Sequence, residues 1–235
     1  MNDTRIYSPS QTALWDQCAL KRMLRYQNKW VSRAMGPRDL AAILGRAVGE
    51  GLAHHYRSLA GHEQKGVSAP TLAQTVAELL ITEVPSQGRR VEPWHQAQAD
   101  AIPGRAERAV QRYINESPIP PEWPILAIEE TLPSGVARPD LVIDDGRGPT
   151  PLDFKTKLTL KSEYLAREHS RWQTSWQMYH YAWELKADHY YICLLVLEPR
   201  FRAELYPFEI HPKVIQRWEQ SARLKWSRMQ AEDEG

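Results

Sequence analysis

Residues 137–158 read ARPDLVIDDGRGPTPLDFKTKL, two apolar segments around a glycine-rich turn. Ala137–Ile143 and Pro151–Leu158 have strand character, and Gly146, Gly148 and Pro149 supply the turn between them. Side chains two positions apart on a strand share a face. Arg138 therefore projects with Asp140, and Asp153 with Lys155, while Leu152 and Phe154 project the other way. A hairpin centred near Gly146–Gly148 sets Asp140 opposite Asp153, or one pair removed, at about 5–8 Å. Carboxylates that close repel, and one is pushed toward protonation unless a cation lies between them. Lys155 supplies one positive charge. A hard divalent ion is the other natural neutraliser, and oxygen ligands suit Mg²⁺ or Mn²⁺ rather than zinc.

Upstream, Ile125–Leu132 (ILAIEETL) reads as a third strand. Its bulky apolar parity faces the packed side, so Glu129 is the favoured third acid of the site, with Glu130 behind it. Downstream, Ser170 to Lys186 reads as a helix on which Trp172, Trp176, Tyr179 and Trp183 form one apolar, core-facing stripe. Gln177 and Tyr181 lie one turn apart on a neighbouring face, where their hydrogen-bond donors suit a phosphate oxygen. The apolar strand Tyr190–Leu197, a strand Ala203–Ile210 and a helix Pro212–Met229 complete this half. Before it, Ser10–Tyr26, Asp39–Leu59, Leu72–Thr82 and His95–Glu116 read as helices. Gly45, Gly49 and Gly51 weaken the second by about 1 kcal/mol each, so close packing has to compensate. Four prolines in Ser117–Pro124 mark a boundary. The order predicts an α/β (α+β) fold, a single domain over 1–235. Within it, residues 1–122 are mainly helical, 123–211 form the sheet core, and 212–235 form a helix with an acidic tail.

Composition narrows the function classes. The 235 residues are 42% hydrophobic and 25% charged, which argues for a globular chain rather than a disordered one. The longest apolar run, Tyr190–Leu197, is far short of a membrane span. The opening MNDTRIYSPSQ has no basic region followed by an apolar stretch, so no secretory leader and a cytoplasmic location are expected. Cys18 and Cys193 are too few for a disulfide framework and read as buried small hydrophobes. The net charge of +1 conceals a pattern, since residues 1–50 carry eight Lys/Arg against four Asp/Glu, and 51–152 nine against thirteen. Lys21, Arg22, Arg25, Lys29 and Arg33 either track a DNA backbone or form an ordinary solvated face. The tryptophans read mostly as core, with base stacking by Trp15 or Trp30 the lesser alternative.

The run Arg138-Pro139-Asp140, then twelve residues, then Asp153-Phe154-Lys155-Thr156, then Gln177-x-x-x-Tyr181, resembles the PD-(D/E)XK nuclease superfamily. Within it the pattern is most similar to the RecB-type exonuclease branch of recombination, phage and CRISPR-adaptation enzymes. Tyr7-Ser8-Pro9-Ser10 through Leu14, Cys18 and Tyr26 resembles that branch's opening helix, and Leu44–Glu50 its second helix. The resemblance implies a restriction-endonuclease-like mixed sheet flanked by helices. It also implies metal-dependent phosphodiester hydrolysis. Asp140 and Asp153 would ligate Mg²⁺ or Mn²⁺ with the Phe154 carbonyl, Lys155 would hold and help deprotonate the attacking water, and Gln177 and Tyr181 would bind the DNA backbone or orient the site.

Two departures accompany it. Branch members carry a histidine ligand as G-x-x-x-H in the second helix, where this chain has Gly49, with His54 and His55 following about a turn later. Cys18 is followed by Ala19, and no cysteine cluster closes the chain, so no iron–sulfur cluster is expected. The function expected is thus a metal-dependent DNA exonuclease serving recombination, repair, phage or defence processing, in company with a protein partner of such a system. The alternative is a catalytically retired nuclease fold that binds nucleic acid or joins an assembly.

Overall fold

The computed structural model describes residues 5–17, 22–23, 34–35, 37–62, 66–83 and 90–234. Along the chain run α1 (Pro9–Gln17), β1 (Ala34–Met35), α2 (Pro37–Leu59), α3 (Ala69–Thr82), β2 (Arg90–Val91) and a 3-10 turn (Pro93–His95). Next come α4 (Gln96–Asp100), α5 (Ile102–Asn115), β3 (Ile125–Ile128), β4 (Leu141–Asp144) and β5 (Pro149–Thr159). The last elements are α6 (Ser162–Gln173), α7 (Trp176–Leu185), β6 (His189–Glu198), β7 (Arg202–Glu209) and α8 (Pro212–Glu234).

The glycine-rich turn sets the register. Asp144 Oδ1 accepts from the backbone N–H groups of Gly146 and Gly148 at 2.9 and 3.2 Å. Those glycines have φ of 94° and 106°, values a side chain would make costly. The turn pairs Asp144 with Pro149 and, three rungs on, Leu141 with Leu152. Among the described residues β3 to β7 form one mixed sheet in chain order, antiparallel except for β5 with β6. A parallel pair needs a crossover, and α6 and α7 provide it. The predicted mixed sheet flanked by helices is therefore the observed architecture.

Each sheet face is covered. Leu141, Ile143, Leu152, Cys193 and Leu195 pack against the helical N-terminal half through Ala47, Leu52, Val110 and Tyr113. Gly51 permits that packing, because a Cβ there would lie 2.8 Å from Val110 Cγ2 and 2.9 Å from Ala73 Cβ. The opposite face buries Ile192, Leu194 and Val196 against Trp172, Met178 and Ala182. A third cluster joins Tyr7 to Trp218, Trp226 and Met229 of α8.

Several expectations change. The helix over 170–186 is two helices. Ser175 caps α7, its Oγ accepting from Met178 N–H at 3.3 Å, and the chain bends there. The apolar stripe is divided accordingly: Trp172 serves the sheet, whereas Trp176 and Trp183 pack on the α8 cluster. The helix over 95–116 breaks at Ala101, where Pro103 lacks the N–H that would continue it. The strand over 125–132 stops at Ile128, and the one over 137–143 begins at Leu141. Glu232, Asp233 and Glu234 are helical rather than a separate tail. The short parallel pair β1–β2 carried too little periodicity to be legible.

Candidate active site

The β4–β5 pairing runs to Leu141–Leu152, and Asp140 and Asp153 are the next residues along the chain on either side of that pair. Asp140 lies just ahead of β4, and its Oδ2 accepts the Phe154 backbone N–H at 2.6 Å, which holds the carboxylate against β5. On the neighbouring strand Ile128 pairs with Leu141, and Glu129 N–H donates to the Asp140 carbonyl at 3.0 Å. Three acids thus cross the sheet in one row.

Asp153 is 3% exposed, and its partners come from β5 itself and from α7. Gln177 Nε2 donates to Asp153 Oδ1 at 3.0 Å, while Lys155 Nζ pairs with Oδ2. Lys155 Nζ also donates to Gln177 Oε1 at 3.4 Å. Gln177 Nε2 reaches the Tyr181 hydroxyl at 2.7 Å, and that hydroxyl donates to the Arg138 carbonyl at 2.9 Å. The i, i+4 spacing on α7 stacks Gln177 and Tyr181 on one face, so a single helix braces the carboxylate, the lysine and the Arg138-Pro139-Asp140 backbone together.

The electrostatics follow from this crowding. Burial and then the adjacent Asp153 charge push the Asp140 carboxyl well above the usual range, against the opposing pull of Phe154 N–H and Lys155. Burial alone would lower the Lys155 ammonium, but Asp153 outweighs it and raises the pKa, so the lysine stays charged. Burial, then Asp153, raises the Tyr181 phenol. Asp140 and Asp153 thus repel each other, and a cation between them would relieve that repulsion. Among the described residues no three His, Cys, Asp or Glu side chains cluster to ligate one ion. The pair Asp140–Asp153 therefore offers the anionic oxygens, and the donor set is one suited to a hard cation that keeps water or phosphate oxygens.

Other expected residues lie elsewhere or act differently. Glu129 leaves β3 in the left-handed region (φ 49°) and turns to Arg57, whose Nη2 is 2.8 Å from Oε2, with Arg138 at 3.9 Å. It stays near enough to raise the Asp140 pKa but is neutralised by arginine. Glu130 is exposed. Gln177 and Tyr181, expected at a phosphate, spend their hydrogens inside the site, and Tyr181 is buried. Arg22 faces no solvent: it is buried at 3% and bonded to Asp233 at 2.6 Å. Lys21, Arg25, Cys18 and Trp30 lie outside the described residues. Trp15 donates from Nε1 to Glu232 at 2.7 Å rather than standing clear for a base. His54 is bonded to the Val67 carbonyl at 2.9 Å, as a satisfied helix histidine would be. Space does not explain Gly49, because a Cβ there would meet nothing within 4 Å.

Arg171 was missed. It lies near Lys155, opposing that lysine's charge, and lines the adjoining cleft with Arg138. It sits in the last turn of α6, just before the bend at Thr174 and Ser175 that the sequence pattern runs through as one helix.

A solved structure of the protein SSO0001 is 14% identical, with 89% of this chain and 86% of that one covered at a TM-score of 0.26. No curated protein matches. The family model of the PD-(D/E)XK nuclease superfamily matches residues 6–233, a span that takes in the acid row, Lys155 and the bracing α7. On a match over nearly the whole chain, with a five-stranded mixed sheet flanked by helices, the protein belongs to the PD-(D/E)XK nuclease superfamily.

Proposed function

We propose that the protein is a Mg²⁺- or Mn²⁺-dependent DNA exonuclease of the RecB type. The observation that carries this is Asp140 held against β5 by the Phe154 N–H, close enough to feel the charge of an Asp153 that is itself paired with Lys155. Asp140, Asp153 and the Phe154 carbonyl would hold the cation, which supplies charge neutralisation at the scissile phosphate and lowers the pKa of water. Lys155, a compact charge one-third exposed, would orient the attacking water and stabilise the charge that develops. Gln177 fixes both Asp153 and Lys155, and Tyr181 ties Gln177 to the Arg138 backbone. Retirement to a binding role is not favoured, since the chain retains Asp140, Asp153 and Lys155. The exonuclease assignment is supported by the resemblance of Tyr7–Tyr26 and Leu44–Glu50 to the RecB-type branch.

End-labelled linear duplex, single-stranded DNA and closed circular DNA, each incubated with Mg²⁺, Mn²⁺ or EDTA, test the proposal. It predicts metal-dependent loss of linear DNA with circular DNA intact. Circular DNA cut equally fast would replace exonuclease by endonuclease, and no cleavage in either metal would refute turnover.

A further inference from the structure

A cleft of about 560 Å³ opens beside the acid row, lined by Ser8, Ser10, Arg138, Arg171, Ser175 and Gln177. Gln177 belongs to both the cleft and the site, so whatever fills the cleft lies one side chain from Asp153 and Lys155. Arg171 is exposed and, among the described residues, has no ion-pair or hydrogen-bond partner. Arg138 is 57% exposed, and among the described residues its only ion pair is the 3.9 Å approach to Glu129. Two solvent-facing guanidiniums in one concave surface repel each other and stay hydrated unless an anion lies between them. Ser8 and Ser10 line the same wall, and α1 and α7 both begin there with the positive ends of their dipoles. Arginine's planar fork matches phosphate oxygens in two-point contact.

We infer that this cleft holds a phosphate of the substrate strand next to the one being cut, with Arg138 and Arg171 as its contacts. The inference rests on the proposed nuclease function and adds its strand path: nucleic acid leaves the acid row over α7 toward α1. The phosphate is either an internal one or the strand's 5′ end.

Salt-dependent binding in EDTA tests it without turnover. Short single-stranded and duplex oligonucleotides, with and without a 5′-phosphate, are titrated with wild type, Arg171→Gln and a control, Arg217→Gln, at an exposed arginine of α8 that does not line the cleft. Each phosphate contact steepens the slope of log K against log salt by about 0.9 on duplex and about 0.7 on single strands. Arg171→Gln is expected to flatten the slope by one such step, and Arg217→Gln to leave it unchanged. Flattening with every oligonucleotide marks an internal phosphate, and flattening only with 5′-phosphorylated ones marks the terminal phosphate. An unchanged slope in Arg171→Gln, an equal loss in Arg217→Gln, or no salt-dependent binding by wild type overturns the inference. Cleavage by wild type with an unchanged Arg171→Gln slope sinks the cleft alone. A flattened slope without any cleavage sinks the nuclease proposal and leaves the cleft standing.

Discussion

Asp153 is buried with two neighbours that each answer one of its oxygens, Gln177 and Lys155. Removing the charge while keeping the shape, as in Asp153→Asn, is expected to lower the cleavage rate roughly 100-fold or more with little change in melting temperature. Gln177→Leu removes the hydrogen bonds to the Asp153 carboxylate and to Tyr181 and the one accepted from Lys155, while both carboxylates proposed to meet a cation stay in the chain. Partners of this kind are worth about 10–100-fold in metal affinity, so Mn²⁺ titration is expected to show that loss in Gln177→Leu. An unchanged Mn²⁺ affinity would demote Gln177 to packing. At this scale the sequence was informative, because turn centre and strand parity alone bring Asp140 and Asp153 to one place. Glu129 was less legible. Parity arguments assume the strand continues, and a left-handed residue (φ 49°) with Arg57 arriving from α2 is a tertiary event. Helical spacing groups Gln177 with Tyr181, but the partners that take their hydrogens, Asp153 and the Arg138 carbonyl, are announced by no pattern.

Elements carry their own tests. In α2, a Cβ at Gly51 would lie 3.0 Å from the Ala69 carbonyl oxygen as well as crowding Val110 and Ala73, whereas one at Gly45 would meet nothing within 4 Å. Gly45→Ala is therefore expected to stabilise by about 0.5–1 kcal/mol. Gly51→Ala should destabilise by about 1–2 kcal/mol, overpacking exceeding the gain in helix propensity. Denaturant unfolding decides both, and equal effects would refute the packing account. The three glycines announced close packing somewhere; which one bears it needed α3 and α5 in position. At the far end of the β4–β5 hairpin, buried His189 touches Asp188 at 2.7 Å and Asp145 at 2.9 Å, and Tyr191 donates to Asp145 at 2.8 Å. Burial alone would raise the Asp145 carboxyl, but hydrogen bonds from Tyr191, Arg147 and His189 hold it below its usual 3.8. The His189 hydrogen bond leads the lowering of Asp188. A depressed carboxyl stabilises above its unfolded pKa and loses that contribution as pH falls through the folded value. The melting-temperature gap between wild type and Asp145→Asn is thus expected to be full near neutrality and to close as pH drops below about 4. A gap constant with pH would mean that packing, not charge, ties the turn. The division of one predicted helix into α6 and α7 was illegible for a related reason: Thr174-Ser175 reads as tolerable helix until Ser175 is found capping Met178.

Across the whole molecule, the two ends of the chain meet beside the site. Buried Arg22 bonds Asp233 at 2.6 Å, Tyr7 donates to the same carboxylate at 2.8 Å, and Trp226 of α8 donates to Thr12 at 3.3 Å. Because Ser8, Pro9 and Ser10 also form one wall of the cleft, α8 braces that wall through these bonds. Removing one member of a buried pair strands the other, so Arg22→Ala is expected to cost about 3 kcal/mol in calorimetric stability. A cost under about 1 kcal/mol would mean the ends are only loosely joined. The charge pattern suggested an N-terminal basic face and a solvated acidic tail. Neither composition nor periodicity reveals that Arg22 and Asp233, far apart in the chain, satisfy each other, and only the assembled fold pairs them. The proposed function requires that Asp140, Asp153 and Lys155 form one metal-dependent hydrolytic site. Its most direct test is the single-turnover cleavage rate of linear DNA in Mn²⁺ for wild type and Lys155→Ala, with Mn²⁺ binding measured on the same samples. The account predicts that Lys155→Ala still binds Mn²⁺ but cleaves roughly 100-fold more slowly or not at all. Cleavage by Lys155→Ala at the wild-type rate would contradict it.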